Sequence, residues 1–394
     1  MTTTDVDFRA RIEGALDELL ADFDAAAATA EPSEYLGKRF DLGLAWVWFP
    51  EGLGGMGAPR SYQAMVETRL GEVGAPVSRN LLGVGMGAPV LAEHGSREQQ
   101  ERWLRPMFTE QEIWCQMFSE PGAGSDVAGL AARGVRDGDE WVVNGQKVWT
   151  TIAHVSKWGM LVVRTDPDVP KHRGLTYFIV DMKADGVDVR PLRQATGEAE
   201  FNEVYFTDVR IPDENRIGGV GDGWRVAVAT LMNERVSIGG TVSPRNSGAI
   251  GVALDVWKEY GHDDPALRDD LMRLWVEAEA ARLTNLRAAQ MMSQGTPGPE
   301  GSLAKLVYAE LNKRIFEMVI DLMGPDGMLY DTYEMARPGE FPEHIPQKAF
   351  IRSRANSIEG GTSEIMKNIV GERVLGLPGE PRVDKDLPWS QVPR

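Results

Sequence analysis

The sequence predicts a mainly α protein with a central β domain, and two changes of hydrophobic period predict it. Apolar residues recur at three- and four-residue steps through about the first hundred residues. They form short β-like runs from about 113 to 217, and the helical step returns from 223 to about 375. A chain of 394 residues has room for two or three domains. The changes of period divide it into a helical domain at 1–112, a β domain at 113–222 and a helical bundle at 223–394.

In the first region, Phe8, Ile12, Leu16, Leu19, Leu20 and Phe23 mark one face of an amphipathic helix. Segments 61–73 and 81–94 repeat the pattern, and Ser96 ahead of 98–105 reads as a capped helix start. The stretch Pro50-Glu-Gly-Leu-Gly-Gly-Met-Gly-Ala-Pro59 is a loop by composition. Its Gly52, Gly54 and Gly57 satisfy GxGxxG by letter. A dinucleotide turn needs a strand running into the first glycine and a helix opening at the third. Pro50 and Glu51 interrupt that entry and Pro59 follows, so a plain loop is expected.

In the second region, 133–137, 141–144, 159–165, 175–182, 187–190 and 203–209 are short runs rich in Val, Tyr, Phe and Trp. Turn residues such as Asp137-Gly138-Asp139 separate them, which suggests an antiparallel sandwich or barrel. In the third, 224–260, 265–294, 302–323 and 363–375 are amphipathic helices, broken at 295–299 and at Gly324-Pro-Asp-Gly327.

Forty-two Lys and Arg against 59 Asp and Glu leave a formal charge of −17. Such a surface repels nucleic acid and anionic membranes, although it permits a local basic pocket. The single cysteine, Cys115, excludes an intramolecular disulfide framework and a Cys-cluster metal site. Five histidines without metal-binding spacing argue against a His-built one. No apolar run approaches the roughly 18 residues that span a bilayer, and the N-terminus is unlike a signal peptide. The expectation is a cytoplasmic protein without metal.

The stretch Trp114-Cys-Gln-Met-Phe-Ser-Glu-Pro-Gly-Ala-Gly-Ser-Asp126 brings an apolar strand to a Gly-rich turn. Free backbone N–H groups and hydroxyls in such a turn suit an anionic or carbonyl-rich ligand. Further on, Trp149 is followed by Thr150 and Thr151, an aromatic plane beside two hydroxyls. That pairing suits a flat heteroaromatic ring, and equally a hairpin with a buried Trp.

With these residues the chain resembles the acyl-CoA dehydrogenases. Ser119-Glu-Pro-Gly-Ala-Gly-Ser-Asp126 is similar to their flavin and substrate loop, and Gly145-Gln-Lys-Val-Trp-Thr-Thr151 to the strand beside the isoalloxazine ring. Ile358-Glu-Gly-Gly-Thr-Ser-Glu-Ile365 and Glu372-Arg-Val-Leu-Gly-Leu-Pro378 resemble the C-terminal signature. The resemblance implies a helical N-terminal domain, a β barrel or sandwich and a C-terminal four-helix bundle. It also implies bound FAD and oxidation of an acyl-CoA thioester across Cα–Cβ, with hydride passing to flavin N5. By position, Gln116, Phe118, Ser119, Gly124, Ser125, Trp149, Thr150 and Thr151 would hold the flavin. Thr362 and Glu364 fall where the family holds the ADP part. Ser125 and Arg235 would touch the acyl-CoA.

Much of the family carries its catalytic Glu at the position of Gly360. Glu359 lies one residue earlier, about 100° around a helix. Isovaleryl-type members place the base elsewhere, and the matching segment Leu231-Met-Asn-Glu-Arg-Val236 supplies Glu234 in apolar surroundings. Desolvation there would raise a carboxyl pKa toward that of an α-proton base. Glu234 is the expected base and Glu359 the alternative.

Two segments depart from the family. The Arg-x-x-Phe-Gly segment, whose Arg reaches the FAD pyrophosphate of a neighbouring subunit, reads Trp257-Lys-Glu-Tyr-Gly261, and the glycine pair near the adenine reads Gly324-Pro-Asp-Gly327. Lys258 would offer a point charge without the fork of an arginine. These changes keep a second reading open, a structural partner subunit of a heteromeric dehydrogenase; a third is an oxidase or monooxygenase on the same fold. Gly83, Gly85, Gly87, Gly239 and Gly240 either line an acyl pocket or permit close helix packing. A dimer or tetramer is expected, with an electron-transfer flavoprotein or similar carrier as acceptor by resemblance.

Overall fold

The computed structural model describes residues 3–239, 243–260, 263–293, 300–330, 345–382 and 384–393. The chain opens with six helices: α1 (Thr3–Leu20), α2 (Ala25–Ala30), α3 (Pro32–Asp41), α4 (Gln63–Glu72), α5 (Ala88–His94) and α6 (Arg97–Phe108). α6 starts on a capping box in which the Gln99 amide donates to Ser96 Oγ at 3.3 Å and the Ser96 amide donates to Gln99 Oε1 at 2.9 Å. α3 has no counterpart in the periodicity reading, although Pro32 in its first turn is a helix-start signal. Segment 81–94 is not uniformly α-helical, because Gly83–Gly87 forms a π-helical turn ahead of α5.

Eight strands follow as one sheet: β1 (Trp114–Met117), β2 (Arg133–Asp137), β3 (Glu140–Thr151), β4 (Trp158–Arg164), β5 (Leu175–Asp181), β6 (Val187–Leu192), β7 (Phe201–Pro212) and β8 (Arg216–Ile217). The order is β6-β7-β3-β2-β4-β5-β8, with β1 against β4. Most pairings are antiparallel as expected, but β1 runs parallel to β4, in register Trp114↔Trp158 to Met117↔Leu161. The chain reaches β4 from β1 only after crossing through β2 and β3, which a parallel neighbour requires.

The last region holds α7 (Gly223–Gly239), α8 (Gly248–Tyr260), α9 (Pro265–Ser293), α10 (Glu300–Met323), α11 (Pro346–Ser353) and α12 (Ser363–Ile369). The single helix expected over 224–260 is two. Pro244 cannot donate an amide, and Asn246 and Gly248 have φ of 60° and 67°, outside the right-handed helix. α11 also goes unforeseen and also opens on a proline, Pro346.

Three cores hold these elements. The first joins the N-terminal helices to one face of the sheet through Trp114, Met160, Val162, Tyr177 and Ile179, and takes in Val226 and Ala227 of α7. The second lies on the opposite face, with Leu161, Val163, Phe178 and Val180 against Trp141, Val204 and Phe206. All seven residues of β4 are therefore buried, each face against a different core. The third belongs to α8, α9 and α10, and includes Ile250, Leu271, Ile315 and Val319.

The Gly52–Gly57 loop is part of the first core through Leu53 and Met56. A Cβ on Gly54 would lie 2.7 Å from the Phe40 ring and one on Gly55 2.2 Å from the Phe49 carbonyl oxygen, so these two glycines serve close packing. No strand enters the loop and no helix opens at Gly57, so it is not a dinucleotide turn. Among the described residues no helix is long and apolar enough to cross a membrane, and no group of three acids, histidines or cysteines could hold a metal.

Candidate functional site

Strand β1 carries Gln116 and runs directly into the Ser119–Asp126 turn. Below the turn, the Glu120 carboxylate accepts from the amides of Ala131 and Ala132 at 2.6 and 2.9 Å, and from Lys147 Nζ at 2.8 Å. Lys147 also donates to the Phe118 carbonyl at 3.1 Å, and the Val148 amide to the Ser119 carbonyl at 3.0 Å. Lys147 is fully buried, and burial pulls its pKa down while Glu120 opposes the fall. This pair pins the turn to β3 and leaves Gly124 and Ser125 facing solvent. Sequence analysis missed both residues. The alternation of β3, with Val143 inward, already places Lys147 inward.

At the end of β3 the register with β7 shifts between Lys147 and Thr150, and Trp149 takes φ of 60°. Its indole is 60% exposed and meets Phe201 edge-on, with centroids 5.9 Å apart. A left-handed φ strains a bulky residue and such strain concentrates at functional sites, while the exposed indole offers a face that a flat ligand would cover. Thr150 beside it is buried, and its hydroxyl has no hydrogen-bond partner. The exposed Trp149 excludes the buried-hairpin alternative. An isoalloxazine-sized ring fits this strand, with Thr151 next along the edge.

Glu234 stands on α7, half-buried, and Gln116 Nε2 approaches its Oε2 at 3.5 Å. α7 is fixed to the sheet by its buried residues and by the Tyr177 hydroxyl, 3.3 Å from Thr230 Oγ1. The carboxylate also interacts electrostatically with Lys305 of α10. Lys305 is buried and donates to the carbonyls of Asn356 at 2.8 Å and Gly361 at 2.5 Å. Burial lowers its pKa, opposed by Glu359, Glu310, Glu234 and Glu364. Sequence reading missed Lys305 too; its signal is a lysine on the apolar face of 302–323. The side chain of Arg235 lies outside the described residues, as does Gly240.

Glu359 is differently placed. Its carboxylate takes both arms of Arg352, at 3.0 and 2.7 Å, and the Asn356 amide at 2.8 Å. Gly360 follows with φ of 61°, a conformation that would strain a glutamate at the position most of the family uses. Thr362 caps α12, accepting from the Ile365 amide at 3.1 Å, and Glu364 is exposed in its first turn. The fold thus joins Gln116 to Glu234 and Phe118 and Ser119 to β3. Lys305 ties Thr362 and Glu364 toward this group, through the Gly361 carbonyl and electrostatics with Glu234 and Glu364.

Three family descriptions cover the chain: acyl-CoA dehydrogenase N-terminal domain at 2–111, middle domain at 115–209 and C-terminal domain at 221–375. The chain belongs to the acyl-CoA dehydrogenase family. It is 36% identical over 389 residues to acyl-CoA dehydrogenase IpdE1 of Mycobacterium tuberculosis, covering 95% of this chain and 98% of the relative. It is 29% identical to the human mitochondrial short-chain specific acyl-CoA dehydrogenase over 87% of this chain and 83% of that one. Among solved structures, the ChsE4–ChsE5 complex of Mycobacterium tuberculosis aligns with a TM-score of 0.70 and 27% identity, over 96% of this chain and 99% of that one. This acyl-CoA dehydrogenase is accordingly an FAD-dependent oxidoreductase.

Proposed function

We propose that the enzyme oxidises an acyl-CoA thioester to the 2-enoyl-CoA, with Glu234 removing the α-proton. The observation that carries this reading is the placement of two carboxylates: Glu234 approaches Gln116 beside the flavin strand, whereas Glu359 is clamped by Arg352 and Asn356. When bound, FAD supplies the acceptor for the β-hydrogen, which leaves as hydride. The residues of the chain do the rest. Phe118, Ser119 and Gly124 present the turn, and Trp149 and Thr151 would hold the flavin ring against β3. Gln116 approaches the Glu234 carboxylate at 3.5 Å, and Ser125 meets the substrate at the open side of the turn; the sequence assigns Arg235 to the acyl-CoA as well. Thr362 and Glu364 lie toward the adenine end.

Glu234 is half-buried and interacts electrostatically with Lys305, and a carboxylate is a chemically competent general base. The decisive experiment is anaerobic addition of acyl-CoAs of varied chain to the purified yellow protein. The flavin should bleach with the wild type. Glu234→Gln should keep its colour and bind the thioester while losing reduction by on the order of a thousandfold or more. Near-normal reduction by that variant would sink the assignment.

The apolar residues Met272, Val276, Leu283 and Leu286 of α9 stay exposed along one stripe. A dimer or tetramer in which a second copy covers this face would bury them. A partner-subunit role in a heteromeric enzyme is favoured by one observation. Trp257 packs against the bundle core, while Lys258 faces solvent and donates to Asp255 at 2.8 Å, so neither supplies the fork of the family arginine. Colour of the protein purified alone separates the two readings. An electron-transfer flavoprotein is the proposed acceptor; oxygen consumption without any acceptor would indicate an oxidase.

A further inference from the structure

The last residues of the chain lie beyond the matched C-terminal domain, which ends at 375, yet they are docked. Trp389 and Ser390 donate their amides to the carbonyls of Val169 and Pro167, each at 2.9 Å, and Pro388 bridges Pro170. The Trp389 indole donates to the Gly129 carbonyl at 3.1 Å and stacks on Arg164, whose guanidinium lies 4.4 Å from the ring centroid. Arg164 is buried and donates to the carbonyls of Ala128, Leu130 and Lys171 at 2.6, 3.1 and 3.1 Å. Lys171 Nζ meets Asp126 at 2.8 Å and Asp384 at 2.9 Å. The tail therefore touches both segments that flank Ser125, namely 126–130 and 167–171.

We infer that the segment 384–393 is a latch that holds the Ser119–Asp126 turn in its acyl-CoA-binding form, with Trp389 as its positioning residue. The start of the turn is pinned on its inner side by Lys147 and Glu120, and Ser125 near its end is exposed. Asp126 and the 127–129 helical turn that follow are held instead by Lys171, Arg164 and Trp389. A cation stacked on an indole and capped by three carbonyls is a fixed anchor, since the planar guanidinium has few other orientations there. Removing the indole takes away the hydrogen bond to Gly129 and the stack on Arg164, and so loosens the 127–129 turn that follows Asp126, without touching Glu234 or Trp149. The latch acts on substrate affinity, and so rests on the proposal that Ser125 meets the acyl-CoA.

The test compares full-length wild type, Trp389→Ala and Trp389→Phe. Trp389→Ala should raise amide exchange in 126–130 and 167–171 by about tenfold or more. It should also raise KM for the acyl-CoA by about fivefold, with kcat within about twofold and FAD content unchanged. Trp389→Phe keeps the stack on Arg164 and should restore most of the affinity. Unchanged exchange overturns the latch, and so does unchanged KM, or a joint loss of kcat and FAD that marks general unfolding. A wild type that turns over no acyl-CoA would refute the proposed reaction instead, and exchange alone would then decide the latch.

Discussion

Glu359 is the acid that the C-terminal signature offers, and Arg352 and Asn356 hold its carboxylate by three hydrogen bonds. The Glu359 and Arg352 side chains are about one-third exposed, at 34% and 32%, so solvent moderates their pairing. Glu359→Gln should therefore leave flavin reduction within a few-fold of wild type and cost on the order of 1 kcal/mol of stability, read by thermal denaturation. A variant that keeps its stability and loses reduction would return the base to Glu359. At this scale the sequence was partly legible. Motif letters pointed to Trp149, Ser125 and Glu234 as candidates, whereas Lys147, Lys305 and Arg352 are engaged through partners on other segments. The 27 residues between Glu120 and Lys147, and the 56 between Lys305 and Gly361, carry no local periodicity that joins them.

Elements were more legible than residues, because burial imposes a period and pairing does not. The strand runs at 133–137 and 187–190 sit within β2 and β6. The helices that escaped, α3 and α11, are short and open on prolines, so their punctuation spoke more clearly than their apolar content. The long helix α9 keeps an exposed apolar stripe that the third core does not absorb. Val276→Arg with Leu283→Arg puts charge at 59% and 49% exposed positions, so the monomer fold should survive. Light scattering should then show the wild-type oligomer reduced to monomers; an unchanged oligomer means another face is used.

For the whole molecule, the net charge of −17 governs solubility, and paired groups govern the response to acid. Asp41, Asp222, Glu277 and Asp384 are held below the ordinary carboxylate range by hydrogen bonds from Arg105, Arg225, Arg314 and Lys171. Burial likewise lowers His94 and His172. In every case the native state binds fewer protons than the unfolded chain, so stability rises with pH. It is complete above the unfolded values, about 6.5 for histidine and about 4 for carboxylates, and is lost as pH falls through the native ones. At physiological ionic strength the melting temperature should hold from pH 8 to about 6.5, decline slightly to pH 5 and drop steeply below about 4. A flat profile down to pH 3 would contradict these shifts.

The first core, which binds the N-terminal helices, one sheet face and α7, sets what can vary independently. Glu234 rides on a helix anchored to the sheet that carries Gln116 and leads to Trp149, so the carboxylate proposed as base and the strand proposed to meet the flavin share one chassis. The bundle of α8, α9 and α10 is a second chassis with its own interior, and Lys305 at one end of α10 couples it electrostatically to Glu234. Substitutions on the outer surface of that bundle can therefore alter its contacts without moving Glu234 relative to β3.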